Sequence, residues 1–338
     1  MKVEELEKEL KQGIIHSLYL FYGEEKFLMD NSIKKIKNLF GDLLKGINYV
    51  LIDETNINQL ISDIETPSFG YEKKLIIAKN TGLFKKDLKK KTKPEDILKE
   101  KLVDYINENI DIINQSVVLL FIEQEAEKNS LVECIEQNGV VCNFEYQKQP
   151  QIIARLKSII NAYKVDVDMS TLTYLTENCG TDMQELINEV RKLIEYVGAG
   201  NTIKKEDIDI LCNKKVESVI FDLTDRLGQK DTKSAIEVLR NLVLAKEPLQ
   251  VILINLYNHF KKLYLVKLAI KNDLDIVSSL NLKPNQKFLV GKYRRQADYF
   301  KEKELRKIIQ ELRDLDYKYK VGLIDLEIGL ESIICAYI

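Results

Sequence analysis

The chain has 338 residues, of which 45% are hydrophobic, so it is long enough for about two to three globular domains with ordinary cores. Its 51 lysines and arginines nearly balance 53 aspartates and glutamates, and a formal net charge of −2 excludes a general attraction to nucleic acid or to an anionic membrane, so any DNA contact must be local. The five cysteines are scattered and form no C-x-x-C pair, which argues against a disulfide framework or a zinc site and favours buried free thiols.

The N-terminal segment, residues 1–12, predicts an amphipathic helix because Val3, Leu6 and Leu10 share helical spacing. No apolar signal core precedes the first predicted strand, and no run in the chain approaches about 18 consecutive apolar residues. We therefore expect a cytoplasmic protein that makes no membrane contact.

Residues 18–36, LYLFYGEEKFLMDNSIKKI, predict a strand that feeds a helix. The apolar run at 18–21 is typical of a buried strand, and Gly23 permits a tight exit from it. The apolar residues that follow share one helical face: Phe27, Leu28, Ile33 and Ile36. In nucleotide-binding α/β proteins, a strand, a turn and a helix in this order form the phosphate-binding corner.

The turn lacks the chemistry of a working P-loop. That motif, G-x-x-x-x-G-K-[ST], supplies glycine amides and a lysine for the phosphates and a hydroxyl for magnesium. Here the sequence Gly23-Glu24-Glu25-Lys26-Phe27 places two carboxylates where phosphate oxygens would lie, and no Lys-Ser or Lys-Thr pair follows. We interpret the corner as retained in shape without its nucleotide chemistry, and expect no cofactor and no metal.

Apolar segments alternate with helical segments up to about residue 147. Strands are predicted at 47–52, 75–78, 117–122 and 140–144, and helices at 58–64 and 97–110. This alternation is typical of a mostly parallel sheet covered on both faces, so residues 1–147 are predicted to form an α/β domain. The third strand is followed by Lys79 and Asn80, where an ATP-hydrolysing motor needs an acidic pair to position magnesium and water.

An aromatic segment, residues 66–71 (TPSFGY), lies between a short helix and the third strand. Pro67 can start a helical turn, but helix-poor residues bracket Phe69 and Tyr71, so part of the segment is expected to face outward. The residues alone leave a second interpretation equally open, in which both aromatic side chains pack over the end of the third strand.

Beyond Pro150 the pattern predicts helices alone, with no strand after about residue 147. Short amphipathic segments predict a small helical domain over 148–212, and longer ones predict an all-helical bundle over 213–338. The two histidines, His16 and His259, fall in different domains and are expected to be structural. Tyr293, Arg294, Arg295 and Tyr299 mix basic and aromatic groups, and helix packing or an exposed contact surface fits them equally well.

Five segments resemble, in order and spacing, the bacterial DNA polymerase III delta subunit family, clamp-loader subunits of the AAA+ class. They are LYLFYGEEKFLMDN (18–31), PSFGYEKKLIIAKN (67–80), GTDMQELINEVRKL (180–193), LVLAKEPLQVILINLYNHFKKLYLVKL (242–268) and LRDLDYKYKVGLIDLEIGLESII (312–334). The resemblance implies an AAA+-like α/β domain with a degenerate P-loop over 1–147, a helical lid over 148–212, and a helical collar for oligomerisation over 213–338.

The resemblance also implies a function and partners. A delta subunit binds and opens the sliding clamp (the beta subunit) for loading onto primed DNA, and does not itself hydrolyse ATP. It would act in a pentameric loader beside the tau/gamma motor subunits and the delta-prime subunit, as part of the DNA polymerase III holoenzyme, a DNA-directed DNA polymerase.

The resemblance places the clamp contact at Phe69. Family members insert an exposed Leu-Phe pair into an apolar pocket of the clamp, and this chain aligns Ser68 and Phe69 with that pair. The leucine is therefore missing, and Pro67 or Tyr71 is expected to supply the lost apolar area, since aromatic anchors dominate protein interfaces.

Two rival hypotheses remain at this point. A divergent ATPase of the AAA+ class would use Lys26 at the phosphate corner and would bind ATP measurably. A nucleic-acid-binding scaffold would use the basic segment 85–93 and bind DNA with a steep salt dependence. Its candidate phosphate contacts are Lys85, Lys86, Lys89, Lys90, Lys91 and Lys93, although such charge runs are more often solvated loops.

Overall fold

The computed structural model describes residues 1–86 and 94–336. The chain divides into two compact units, Met1–Tyr146 and Gln147–Ile338. The further division of the second unit at residue 212 stays a prediction. Of the helices in the described ranges, none combines the length and the apolar character needed to cross a membrane.

The first unit alternates strands and helices, as the sequence predicts. Its elements are α1 Val3–Lys11, β1 Leu18–Tyr22, α2 Lys26–Phe40, β2 Tyr49–Ile52, a 3-10 turn Ile57–Gln59, α3 Leu60–Glu65, β3 Lys74–Lys79, α4 Pro94–Ser116, β4 Val117–Glu123, α5 Ser130–Asn138 and β5 Val140–Asn143.

The five strands form one parallel sheet in the order β2-β3-β4-β1-β5. Strand β1 therefore pairs on both sides, with Tyr19 opposite Leu120 in β4 and Val140 in β5. Strands buried on both faces carry continuous apolar runs because neither face meets water. The predicted parallel sheet is confirmed.

Successive residues of β1 point to opposite faces of the sheet and so enter two separate cores. Leu18 and Leu20 pack in the core on the side of α3, α4 and α5. Tyr19 and Phe21 pack in the core on the side of α1 and α2. This two-sided burial fixes where β1 ends and therefore where the turn at Gly23 lies.

Helix α4 continues beyond the predicted end at residue 110, to Ser116. Asn109 has φ −119° and ψ 21° inside it, so two helical segments join at a kink, where the Asn109 side-chain amide donates to the carbonyl of Tyr105 at 3.0 Å. Buried Ile113 anchors the second segment. The polar run before Ile110 marks the kink and not the end of the helix.

The second unit begins with four helices and a small sheet: α6 Gln149–Ala162, β6 Asp166–Val167, α7 Met169–Cys179, α8 Met183–Val197, β7 Thr202–Ile203 and α9 Lys205–Leu211. The expectation of helices alone after residue 147 is wrong, because β6 and β7 form a parallel pair. Each is two residues long, too short for an apolar alternation to show, and each buries one side chain, Val167 or Ile203.

The remainder is helical, with a 3-10 turn at Pro284–Gln286: α10 Val216–Gly228, α11 Thr232–Leu244, α12 Leu249–Lys271, α13 Ile276–Leu280, α14 Leu289–Asp298, α15 Glu302–Lys320 and α16 Leu326–Ala336. One apolar core joins these helices, and Leu256, Phe260 and Leu263 of α12 lie within it. The predicted fold class, an α/β unit plus an all-helical bundle, is confirmed.

Candidate functional site

The turn after β1 is closed by contacts within the chain. Gly23 has φ +124°, and a Cβ atom there would lie 2.4 Å from the carbonyl oxygen of Phe144, so only glycine fits. The amide of Gly23 donates to the carbonyl of Gln124 at 3.2 Å, and the amide of Glu25 donates to the carbonyl of Phe144 at 2.9 Å. Two amides of the kind that bind phosphate in a P-loop are therefore already used.

Two glutamates add negative charge to this turn. Glu25 is buried with 6% of its surface exposed and immediately precedes α2, where a carboxylate favours the helix N-terminus. Glu24 is exposed, as is Lys26. The arrangement favours the start of α2 and places two carboxylates at the corner where a P-loop would hold phosphate; the absence of nucleotide chemistry there stays a prediction.

The ends of β3 and β4 are joined by a buried carboxylate. The amide and the hydroxyl of Thr81 both donate to Glu123 Oε1, each at 2.7 Å. Burial raises the pKa of Glu123, although the bonds from Thr81 oppose that shift. The amide of Asn80 donates to the carbonyl of Ile122 at 3.0 Å. Glu123 thus holds the loop after β3 in place, a role that the sequence did not reveal.

The aromatic segment forms a tight turn with Phe69 at its tip. The Ser68 hydroxyl donates to the carbonyl of Tyr71 at 2.7 Å, and the amide of Tyr71 donates to the carbonyl of Ser68 at 3.3 Å. Gly70 has φ +77°, as the third residue of a type II turn requires. We call residues 68–71 the Phe69 turn.

Phe69 is 87% exposed, more than any other large apolar side chain in the described part of the chain. The expectation that part of this segment faces outward is confirmed, and packing of Phe69 over β3 is excluded. Pro67 is exposed, Tyr71 is 36% exposed, and Ser68 is half-buried. Most of the apolar surface of the Phe69 ring is therefore in contact with water.

A buried lysine, Lys74, bonds to the segment of chain that leads into the Phe69 turn. Lys74, the first residue of β3, is only 3% exposed, and its ammonium donates to the carbonyl of Asp63 at 2.9 Å and to that of Thr66. Burial lowers the pKa of Lys74, while the charge of Asp63 opposes that shift. The ammonium satisfies carbonyl groups at the C-terminal end of α3, which have no partner inside the helix. Sequence reasoning missed Lys74, because it reads like its neighbour Lys73.

The candidate DNA contacts lie near the carboxyl end of β3, whereas the Phe69 turn lies near its amino end. Lys85 and Lys86 are exposed and follow β3, whereas the Phe69 turn precedes it, so the length of a six-residue strand, about 20 Å, separates the two surfaces. The amide of Lys86 donates to the Glu127 carboxylate at 2.7 Å. Lys89, Lys90, Lys91 and Lys93 lie outside the described residues.

Both histidines have structural partners. His259 is 4% exposed, its Nε2 lies 2.8 Å from Gln296 Oε1, and burial lowers its pKa to about 3, so it stays neutral at ordinary pH. His16 Nε2 lies 2.9 Å from a Glu9 carboxylate oxygen.

Of the four mixed residues on α14 and just after it, Tyr293 is buried in the core and its pKa is raised by that burial. Arg295 pairs with Asp225 at 2.9 Å. For these two residues, helix packing with a solvated rim is the observed arrangement.

A five-stranded parallel sheet with a strand–turn–helix corner at Gly23, followed by a helical second unit, defines the class of this protein as α/β with a helical C-terminal part. Two family models match the chain, "DNA polymerase III, delta subunit" over residues 19–145 and "DNA polymerase III delta subunit, C-terminal domain" over residues 217–337. The chain belongs to the DNA polymerase III delta subunit family, whose members are clamp-loader subunits.

Individual relatives agree with this placement. The DNA polymerase III subunit delta of Bacillus subtilis (strain 168) is 25% identical over 330 residues, covering 96% of this chain and 93% of the relative. The probable DNA polymerase III subunit delta of Aquifex aeolicus (strain VF5) is 26% identical over 312 residues, covering 88% and 85%. The fold matches a solved structure of the Bacillus subtilis DNA clamp loader delta protein with a TM-score of 0.78 at 22% identity, over 99% of each chain.

Proposed function

We propose that this chain is the clamp-loader subunit that binds and opens the sliding clamp, and that Phe69 is its anchor in the clamp. The observation that carries the proposal is an aromatic ring 87% exposed at the tip of a turn that two hydrogen bonds close. Because the turn is already ordered, little conformational entropy is lost when a partner buries the ring. Burial of one such side chain contributes roughly 2 to 3 kcal/mol.

Ser68 stands where family members have the leucine of the Leu-Phe pair, so the proposed anchor differs from theirs. Ser68 uses its hydroxyl inside the turn, so it contributes geometry and little apolar area. Pro67 and Tyr71 are both exposed on either side of it and can supply apolar surface to the same partner. The proposed clamp-binding segment is therefore Pro67, Ser68, Phe69 and Tyr71.

The closed phosphate corner supports a role without ATP hydrolysis, in contrast to the divergent-ATPase alternative. The amides of Gly23 and Glu25 are bonded to backbone carbonyls, and a buried carboxylate precedes α2. We propose that ATP-hydrolysing tau/gamma subunits and a delta-prime subunit complete the loader in the cytoplasm, with residues 148–212 as lid and 213–338 as oligomerising collar. Primed DNA is its substrate, and Lys85 and Lys86 are its exposed candidate contacts in the described chain.

The test is calorimetric binding of the purified chain to the sliding clamp encoded by the same genome. We expect Phe69→Ala to weaken binding at least tenfold, because the anchor is lost, and to change the free energy of unfolding by less than about 0.5 kcal/mol, because an exposed surface side chain contributes little. Tyr196→Ala, which removes an aromatic ring 58% exposed on α8, serves as the matched control and should bind normally. Equal binding by all three proteins would refute the anchor.

A further inference from the structure

Two of the buried cysteines in this chain lie in contact with each other. Four of the five cysteines are buried, Cys335 is exposed, and all five are free thiols. Cys134 and Cys142 lie in the two cores on opposite faces of the sheet. Cys179 and Cys212 instead lie together in the second unit, 2% and 8% exposed, and the Cys212 thiol donates a hydrogen bond to the Cys179 sulfur. We call these two residues the thiol pair.

The C-terminal ends of α7 and α9 hold the thiol pair in place. One cysteine is the last residue of α7, and the other directly follows α9. Two further bonds join these helix ends: the Tyr174 hydroxyl donates to the Asp209 carboxylate at 2.7 Å, and the amide of Lys215 donates to the carbonyl of Asn178 at 2.9 Å. Because the backbones are fixed around the pair, small side-chain rotations suffice to bring the sulfur atoms to the separation of about 2 Å found in a disulfide.

The two thiols of the pair differ in how readily they lose a proton. The hydrogen bond from Cys212 lowers the pKa of Cys179, and the ammonium groups of Lys192 and Lys214 act in the same direction. Burial and the carboxylate of Glu189 oppose that shift. The same hydrogen bond, together with burial, raises the pKa of Cys212, so this thiol keeps its proton. Since the thiolate is the reactive form of cysteine, Cys179 is the nucleophile of the pair.

We propose that the thiol pair is an oxidation site, at which hydrogen peroxide converts Cys179 and Cys212 to a disulfide in the folded chain. The linkage joins the end of α7 to the segment that leads into α10, and dithiol reductants reverse it. Hydrogen peroxide is nearly as small as water, so local opening of the helix ends is enough to admit it. The inference does not depend on clamp binding.

The reaction balances within the pair and the oxidant. Cys179 releases its proton to solvent, and its thiolate attacks one oxygen of hydrogen peroxide; the O–O bond breaks, hydroxide leaves and takes up a proton, and Cys179 becomes a sulfenic acid. The Cys212 sulfur then attacks the Cys179 sulfur; the S–S bond forms, the S–O bond breaks, and the leaving hydroxide takes the Cys212 proton to give water. Two thiols are oxidised to one disulfide, and one peroxide is reduced to two waters.

The test uses the full chain carrying Cys335→Ser, which removes the exposed thiol and with it disulfides between molecules. The folded protein is treated with hydrogen peroxide, catalase ends the reaction, and the free thiols are then alkylated in urea. Mass spectrometry of the unreduced digest maps the linkages. We expect the loss of two thiols, a cross-link between Cys179 and Cys212, and full recovery of both thiols in dithiothreitol.

The other two buried cysteines are internal controls. Burial raises the pKa of Cys134, and raises that of Cys142 to about 12, so both should remain reduced and be alkylated. In Cys212→Ser, oxidation of Cys179 should stop at the sulfenic acid, which dimedone labels, because the second thiol is missing. Cys134→Ser should still form the cross-link, and thermal unfolding verifies that both variants fold.

Three results would overturn the inference. The first is that no cross-link forms in the folded protein, and the second is that it forms only after unfolding in urea. The third is that Cys134 or Cys142 enters cross-links as often as the thiol pair does, since the folded geometry would then select no partner. The mapping needs only the Cys335→Ser protein, so it decides the question even if Cys212→Ser does not fold.

Discussion

In the first unit, the carboxyl ends of the parallel strands differ from their amino ends in how the polar groups find partners and in how much apolar surface meets water. Ligands of open α/β sheets usually bind at the carboxyl ends of the strands. At these ends, the amides of Gly23 and Glu25 and the carboxylate of Glu123 all have partners inside the chain. Near the amino ends of the strands, Phe69 extends into solvent beside an open cavity. A fold that ordinarily binds its ligand at the carboxyl ends of the strands thus exposes an aromatic ring near their amino ends.

The largest effect on stability is expected from disrupting the close contact between Gly23 and the Phe144 carbonyl. Gly23→Ala forces a side chain into a backbone conformation with φ +124° and places Cβ 2.4 Å from the carbonyl oxygen of Phe144. We expect a loss of about 3 kcal/mol in the free energy of unfolding, from backbone strain and overpacking together. Urea unfolding measures it.

Gly46→Ala is the matched control for this substitution. Gly46 also has a positive φ, +82°, but open space surrounds the position of its Cβ. Only backbone strain applies there, so about 1 kcal/mol is expected. Equal losses in the two variants would show that the contact with Phe144 does not seal the corner.

A smaller effect is expected near the amino ends of the strands from Lys74→Met. The variant keeps the apolar stem of the side chain but removes the ammonium that bonds to the carbonyls of Asp63 and Thr66. Leaving such groups without partners costs about 2 kcal/mol of unfolding free energy, again measured in urea. Lys73→Met removes one bond from a half-buried lysine and should cost less than about 1 kcal/mol; the reverse order would show that the support lies elsewhere.

The smallest effect is a pH dependence at the carboxyl ends of the strands. Because burial raises the pKa of Glu123 above its ordinary value of 4.5, the native carboxyl holds its proton more tightly than the unfolded one. The stability it contributes is fully present below pH 4.5 and is lost as the pH rises through the native pKa.

Glu123→Gln removes this titration while keeping an oxygen that can accept from Thr81. The unfolding free energy of wild type should therefore fall relative to the variant as the pH rises from 4.5 towards 7. A constant difference, or a rise, would show that Glu123 is not held in a desolvated site.

The sequence pattern predicted the features that depend on residues adjacent in the chain. The run at 18–21 with Gly23 behind it predicted the strand and its tight exit, and the paired glutamates predicted a corner unsuited to phosphate. The helix-poor residues around Phe69 predicted that part of its segment faces outward, but they left open whether Phe69 itself does, and only the family resemblance favoured its exposure. In each case the deciding residues are neighbours in sequence, so their chemistry can be read without knowing the fold.

Features built from distant segments could not be predicted in this way. Lys74 is buried because α3 ends above it, and nothing in the sequence distinguishes it from Lys73. The cavity joins Ile15, Leu39 and Tyr71, which come together only once the sheet is assembled. The pair of β6 and β7 is too short to produce a periodic signal.

The position of Lys74 has a mechanical consequence. Its backbone belongs to β3, an interior strand of the sheet, while its ammonium grips the carbonyl groups just before the Phe69 turn. The Phe69 turn is therefore attached to the sheet on both sides, covalently where the chain enters β3 and through the Lys74 ammonium where the chain leaves α3. Movement of the turn relative to the sheet requires the bonds from Lys74 to the Asp63 and Thr66 carbonyls to break.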